Sequence, residues 1–191
     1  MKNIILIGSG NVATHLGITL KKRGYNIVQV FSKQVNNAES LANKLDCHFT
    51  DSIKRLLDAD LYILAVKDDV VHQILNIIPD IRIVHTSGSL GMEVFKNKFT
   101  HYGVLYPLQT FNKDIDMDLT NIPLCIEANN TKFQNNLIKI GNQLSEKVII
   151  MNSDQRKQLH IAAVFCCNFS NHMFSIADKI LLNSDIDFKL L

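Results

Sequence analysis

A doubly wound, mostly parallel α/β sheet that runs into the start of an all-helical second domain is the architecture predicted by this 191-residue sequence. Three observations carry the prediction. Short apolar runs alternate with amphipathic stretches through most of the chain, the pattern of a parallel sheet with helices on both faces. The first apolar run ends in a glycine-rich turn, Gly8-Ser9-Gly10. From Asp154 to Leu182 the chain contains neither Gly nor Pro, as a long uninterrupted helix requires.

The elements follow in order. Asn3–Ile7 is a nearly continuous apolar run, expected of a strand buried on both faces. Asn11–Arg23 places Val12, Leu16 and Leu20 at helical spacing. Its last turn holds Lys21, Lys22 and Arg23, which complement the negative helix end, and Gly24 stops it. Asn26–Phe31 is a second strand, Ala38–Leu45 a short helix, Cys47–Phe49 a short strand and Ser52–Leu57 a helical turn. Leu61–Val66 is a buried strand, and Asp69–Ile78 a helix closed by Pro79. Asp68 reads as the cap of that helix. Strands follow at Ile81–His85, Gly103–Tyr106, Pro123–Glu127 and Lys147–Met151, with a helix over Lys132–Leu144. The change of texture near residue 152 divides the chain into a nucleotide-binding domain, 1–152, and the first long helix of a helical domain, 153–191.

Composition excludes several classes. Hydrophobic residues are 47% and charged residues 20%, which excludes disorder and a small disulfide scaffold. Twenty Lys and Arg against 18 Asp and Glu give +2, too balanced for a nucleic-acid or membrane binder. The one basic run, Lys21-Lys22-Arg23, is explained as a helix end. Cys47, Cys125, Cys166 and Cys167 form no C-x-x-C pair, and the His residues show no metal-ligand spacing, so neither zinc nor another metal is expected. The apolar start is too short for a signal peptide, and no stretch approaches the ~20 apolar residues of a membrane span. A cytoplasmic protein is expected.

Ile7-Gly8-Ser9-Gly10-Asn11-Val12-Ala13 fits G-x-G-x-x-A, a form of the dinucleotide fingerprint, between a strand and a helix. Gly8 permits the tight turn, Gly10 lets the backbone approach a pyrophosphate, and Ala13 is small enough for close packing of helix on sheet. Backbone amides from Ser9, Asn11 and Val12 would face the phosphates at the helix N-terminus. The second strand ends in Val30-Phe31-Ser32-Lys33-Gln34, with no acid until Glu39. NAD-preferring sites place Asp or Glu there to bind ribose hydroxyls. A hydroxyl and a cation suit a ribose 2′-phosphate instead, so NADP is expected, with Ser32 and Lys33 as contacts. Ala65, Val66 and Lys67 end the fourth strand and should pass near the ribose.

Two polar loops, His85-Thr86-Ser87-Gly88-Ser89 and Tyr106-Pro107-Leu108-Gln109-Thr110, end the next strands, where a nicotinamide and substrate would lie. Ser87 is the catalytic candidate among them. On the long helix, His160, Asn168, Asn171 and Ser175 fall on about one quarter of the circumference at ~100° per residue. The helix is otherwise apolar almost all round, which predicts burial on most sides. The polar stripe would face a substrate, another helix, water or a twofold mate. As a site, it offers His160 as general acid and Asn168 to orient the substrate.

Four segments, Gly8–Ala13, His85–Ser89, Tyr106–Phe111 and His160–His172, resemble one family. It joins an N-terminal Rossmann-like NADP-binding domain to a helical C-terminal domain of unknown function. Its members are labelled NADP oxidoreductases, in the superfamily of pyrroline-5-carboxylate reductase and 6-phosphogluconate dehydrogenase. The resemblance implies a cofactor and a reaction type but no substrate. It also exposes a departure. Val164 stands where the hydroxyacid and phosphogluconate dehydrogenases carry a catalytic Lys, although Asn168 matches their Asn approximately. Lys157 is the nearest Lys on the helix. Their acid–base apparatus therefore does not transfer.

The expectation is an NADP-dependent oxidoreductase moving a hydride between nicotinamide and a small carbonyl, imine or hydroxy substrate. The competing reading is a non-catalytic NADP-binding redox sensor or assembly module. A helix this apolar also predicts a homodimer through the C-terminal region. The tail Asn183–Leu191 reads like the lead into a further helix, as if the helical domain continued or completed its packing with a second copy.

Overall fold

The computed structural model describes residues 1–184 and 186–191, so position 185 of the tail lies outside the described residues. Eight strands form one sheet: β1 (Asn3–Ile7), β2 (Asn26–Phe31), β3 (His48–Thr50), β4 (Leu61–Leu64), β5 (Arg82–His85), β6 (His101–Pro107), β7 (Leu124–Ala128) and β8 (Val148–Ile150). Their spatial order is β3-β2-β1-β4-β5-β6-β7-β8. The order reverses between β1 and β4, which creates the crevice where such sheets bind ligands.

Helices cover both faces because successive side chains of a strand point to opposite sides. On one side Ile4 and Leu6 of β1 pack under α1 (Asn11–Lys22), α2 (Val35–Leu45) and α4 (Thr131–Leu144). On the other, Ile5 and Ile7 pack under α3 (Asp68–Leu75) together with Phe95 and Phe99. This two-sided burial is why β1 and β4 read as continuous apolar runs.

Four points refine or correct the expectations. First, the mostly parallel sheet has one antiparallel pairing, β6 with β7, which places Val104 opposite Glu127 and Tyr106 opposite Cys125, while β8 is parallel to β7. Second, the helix expected from residue 38 begins at Val35, and Met92–Phe95 forms an unanticipated single helical turn. Third, Asp68 does not cap α3. Lys67 holds the extended cap conformation (φ −64°, ψ 147°), and Asp68 is already helical, with its carboxylate free for other partners.

Fourth, the long helix is not buried on most sides. It runs as α5 (Ser153–Ala163), a π-helical segment (Val164–Phe169) and α6 (Ser170–Leu182). Its first turn is closed by a capping box between Asn152 and Gln155. Beyond Leu159, which packs beside Tyr106 and Cys125, the apolar side chains are open: Phe165 is 63% exposed and Phe174 61%. The apolar composition signals a surface that a single copy of the chain leaves uncovered. No helix among the described residues is long and apolar enough to cross a membrane. The tail ends in a short turn, Phe188–Leu190.

Candidate functional site

The carboxyl ends of β1, β2, β4 and β5 open onto one cavity of about 610 Å³. Gly8, Ser9, Gly10, Asn11, Val12, Ser32, Lys33, Ala65, Val66 and Lys67 all line it, and Thr86 and Ser87 close its far side. Phe31, Val70 and Ile74 supply apolar wall that no local motif announces.

Gly8 is the turn that the fingerprint requires. Its φ of +123° is one that L side chains rarely adopt, and a Cβ there would stand 2.1 Å from the Ala65 carbonyl oxygen. Gly10 differs: a Cβ would meet no atom within 4 Å. Packing within the protein therefore does not explain Gly10, whereas a phosphate group lying against the backbone does. The residues fit a dinucleotide on this observation. The first amides of α1 lack intrahelical partners and face the same space.

Asn11 can serve the cofactor only through its backbone. Its side chain is committed to the loop after β6: Nδ2 donates to the Phe111 carbonyl (2.7 Å), and Oδ1 accepts from the Lys113 amide (3.3 Å). His15, one turn later, reaches the Asn112 carbonyl at 2.8 Å and stacks on Phe111. Only the backbone of Asn11 is left for a phosphate. At the other end of the cavity Lys33 is exposed, with Nζ 3.0 Å from Gln73 Oε1.

The loop after β5 uses each residue differently. His85 is buried against Phe95, and burial together with the nearby Arg156 cation pushes its imidazole down to about 3, so it stays neutral. Ser87 and Ser89 both donate hydroxyls to Asp68 Oδ2, at 3.0 and 2.6 Å. Gly88 is the point of closest approach to α5. A Cβ there would lie 2.6 Å from His160 Nδ1 and 2.7 Å from Tyr106 Cζ.

His160 and Tyr106 are themselves joined. Tyr106 Oη stands 2.9 Å from His160 Nδ1, and the two rings meet nearly edge to face. Burial pushes the Tyr106 phenol up to about 12, so the hydroxyl keeps its hydrogen.

A buried cation holds α5 in place. Arg156 is fully buried one turn before His160, and its Nη1 donates to Glu127 Oε2 at 2.5 Å. Its Nη2 donates to the Leu90 carbonyl at 2.6 Å. Glu127 also accepts from the backbone amide and hydroxyl of Ser153, the first residue of α5. Arg156 and His160 share a helix face, so the clamp on β7 and Leu90 seats the imidazole on Gly88.

Asn168 is not brought to this place. It lies about two turns beyond His160, exposed, on the π-helical segment. The i→i+5 bonding there resets the angular phase on which the shared polar stripe depended. Sequence reasoning placed Tyr106 and Gly88 in the two polar loops beside the expected nicotinamide but did not join them to His160, and it missed Arg156 and the tie of Asp68 to Ser87.

Residues 3–84 match the family described as NADP oxidoreductase coenzyme F420-dependent, and residues 122–191 match a domain of unknown function, DUF2520. No curated protein matches the chain. Among solved structures, the "putative NADP oxidoreductase BF3122" from Bacteroides fragilis is 39% identical with a TM-score of 0.92, covering 99% of this chain and 75% of that one. A 1-pyrroline-5-carboxylate reductase from Streptococcus pyogenes is 14% identical with a TM-score of 0.75, covering 98% and 72%. A reductive aminase from Aspergillus terreus, solved with NADPH and ethyl-5-oxohexanoate, is 13% identical with a TM-score of 0.78, covering 99% and 69%. The last two share the fold. The identity to the Bacteroides protein, taken with the pairing of the two domain types, shows that the chain belongs to the family of BF3122, in which a Rossmann-type NADP oxidoreductase domain leads into DUF2520.

Proposed function

We propose that this protein is an NADP-dependent oxidoreductase acting on a small carbonyl or imine, or on the corresponding hydroxy compound or amine in the reverse direction. One observation carries the reading. Ser87 lines the dinucleotide cavity, and its neighbour Gly88 lies so near the His160 imidazole that a Cβ there would run into the ring. A group able to hold a proton at neutral pH therefore stands one residue from the cofactor wall.

Gly8 and Gly10 with the first amides of α1 would hold the pyrophosphate, Ala65–Lys67 the ribose, and Ser32 and Lys33 the 2′-phosphate. The bound dinucleotide supplies or accepts a hydride at its nicotinamide ring. His160 presents a donor to the reacting oxygen or nitrogen. Ser87, held by Asp68, sets the position of the loop between cavity and imidazole. Asn168 joins the site only through another arrangement of the helix or another copy of the chain. The reductive aminase bound with NADPH and a keto ester lends support from the same fold.

The test is cofactor affinity followed by turnover. NADPH should bind more tightly than NADH by fluorescence titration, and Lys33→Ala with Ser32→Ala should erase the difference. NADPH oxidation with a panel of small carbonyls and imines should reveal a substrate, and His160→Gln should abolish that turnover with NADPH affinity intact. Tighter NADH binding defeats the cofactor assignment, and unchanged turnover defeats the role of His160.

The uncovered apolar face of α5 and α6 supports a second reading, an NADP-binding module whose association state reports the redox balance. NADPH binding that changes association without turnover on any of the panel would favour it. In either case we propose a second copy of the chain as the partner of that face.

A further inference from the structure

Tyr106 and Gly88 have no part in binding a dinucleotide, yet both are fitted to one atom, His160 Nδ1. The Tyr106 side chain is almost wholly buried, and the one hydrogen bond its hydroxyl makes among the described residues is to that nitrogen. A buried hydroxyl hydrogen without an acceptor is costly, so the burial of Tyr106 favours it as the donor. A nitrogen that accepts carries no hydrogen of its own in the neutral imidazole. The ring hydrogen then resides on Nε2, which has no hydrogen-bond partner among the described residues and is not sealed from its surroundings. Gly88 completes the arrangement, because any side chain there would occupy the space of the His160 and Tyr106 rings.

We propose that Tyr106 is a positioning residue that fixes His160 in the Nε2–H tautomer, so that the resting site presents a hydrogen-bond donor, and that Gly88 exists to admit this pair. The inference rests on the proposed oxidoreductase reading and sharpens it. A fixed donor complements the lone pair of a carbonyl or imine. The site is thus prepared for the oxidised form of the substrate, which the protein binds in the reductive direction. A phenylalanine at 106 would keep the shape and lose the selection, leaving both tautomers accessible.

The experiment is nitrogen-15 NMR on uniformly labelled protein in the neutral-imidazole form, with the His160 signal assigned by its loss in His160→Gln. In the wild type, Nδ1 should be the bare, hydrogen-bonded nitrogen and Nε2 the protonated one. In Tyr106→Phe the pattern should become a mixture, while NADPH affinity stays unchanged. Turnover on a substrate found by the panel should fall by about tenfold, less than the loss of a complete acid–base group. The wild-type spectrum alone decides the tautomer, so a Tyr106→Phe chain that fails to fold does not block the test. A hydrogen on Nδ1 in the wild type overturns the proposal whatever the turnover. A fixed Nε2–H tautomer in a protein that oxidises NADPH equally well as Tyr106→Phe overturns the positioning role and leaves the oxidoreductase reading standing. A fixed tautomer with no turnover on any carbonyl or imine overturns the oxidoreductase reading, and the inference drawn from it falls with it.

Discussion

His85 shows how one residue in the site region sets a pH response of the whole chain. Folded, it stays neutral down to about pH 3, and unfolded it takes a proton near 6.5. Its folded value is depressed, so its contribution to stability is complete above pH 6.5. Between about 6.5 and 3 the unfolded chain holds a proton that the folded chain refuses. Stability should therefore fall in that window by up to about 1.4 kcal/mol per pH unit. The upper part of the window, above pH 5, lies clear of carboxylate titration. Denaturant unfolding at pH 7.0, 6.0 and 5.0 should show the decline, and His85→Gln should flatten it. A wild-type midpoint constant across those three values would contradict the buried neutral imidazole.

At the scale of single residues, the sequence shows a group's chemistry but not its neighbour. The Gly8-x-Gly10 turn is legible because its demands are local: a positive φ at one position and open space at another. His160 is legible as a titratable group on an apolar helix. Its partner Tyr106 lies 54 positions away, and no spacing rule reaches that far. Asn11 illustrates the opposite failure. It occupies a fingerprint position, yet its side chain serves a loop 100 residues downstream.

The docking of α5 rests on one buried charged group, Arg156, beside the apolar contact of Leu159. Arg156 is 1% exposed and its partner Glu127 14%. A buried pair of this kind adds little net stability over an apolar replacement, but removing one member leaves the other charge stranded. Arg156→Met should cost about 3–5 kcal/mol in chemical denaturation. Arg156→Met combined with Glu127→Gln should recover a good part of it. If both variants are equally unstable, the pair is not what seats the helix. The same elements mark where periodicity informs and where it misleads. The alternation of β1 side chains between the two cores, or the apolar face of α4, follows directly from strand and helix geometry. The long helix kept a clear period on paper, and a π-helical segment in the middle shifts its phase.

For the whole molecule, the open apolar surface of α5 and α6 is the feature on which the proposed second copy rests. Phe165, Phe169, Met173 and Phe174 are each at least half exposed. Patches of this kind on soluble domains are normally covered. Light scattering at micromolar concentration should give twice the chain mass, and Phe165→Glu with Phe174→Glu should return it to one. A wild-type monomer at these concentrations would dismiss the second copy as partner. The doubly wound class was legible, because short connections and right-handed crossovers leave few arrangements for alternating strands and helices. The direction of β7 was not, because a short run such as Leu124–Ala128 looks the same from either end.

That reversal has a consequence for how the two parts of the chain are joined. Because β7 opposes β6 and β8 follows β7, the chain leaves the sheet heading away from the cofactor edge, and the next helix must turn back toward it. Accordingly Ser153 meets Glu127, which pairs with Val104, and two turns later His160 meets Tyr106, nearer the carboxyl end of β6. A seventh parallel strand would have delivered the helix to the opposite rim. The pair β7–β8 therefore works as a direction inverter: it starts the helix after Asn152 at the rim far from the ligand mouth, and Ser153 and Arg156 then hold that helix on its way back toward the mouth.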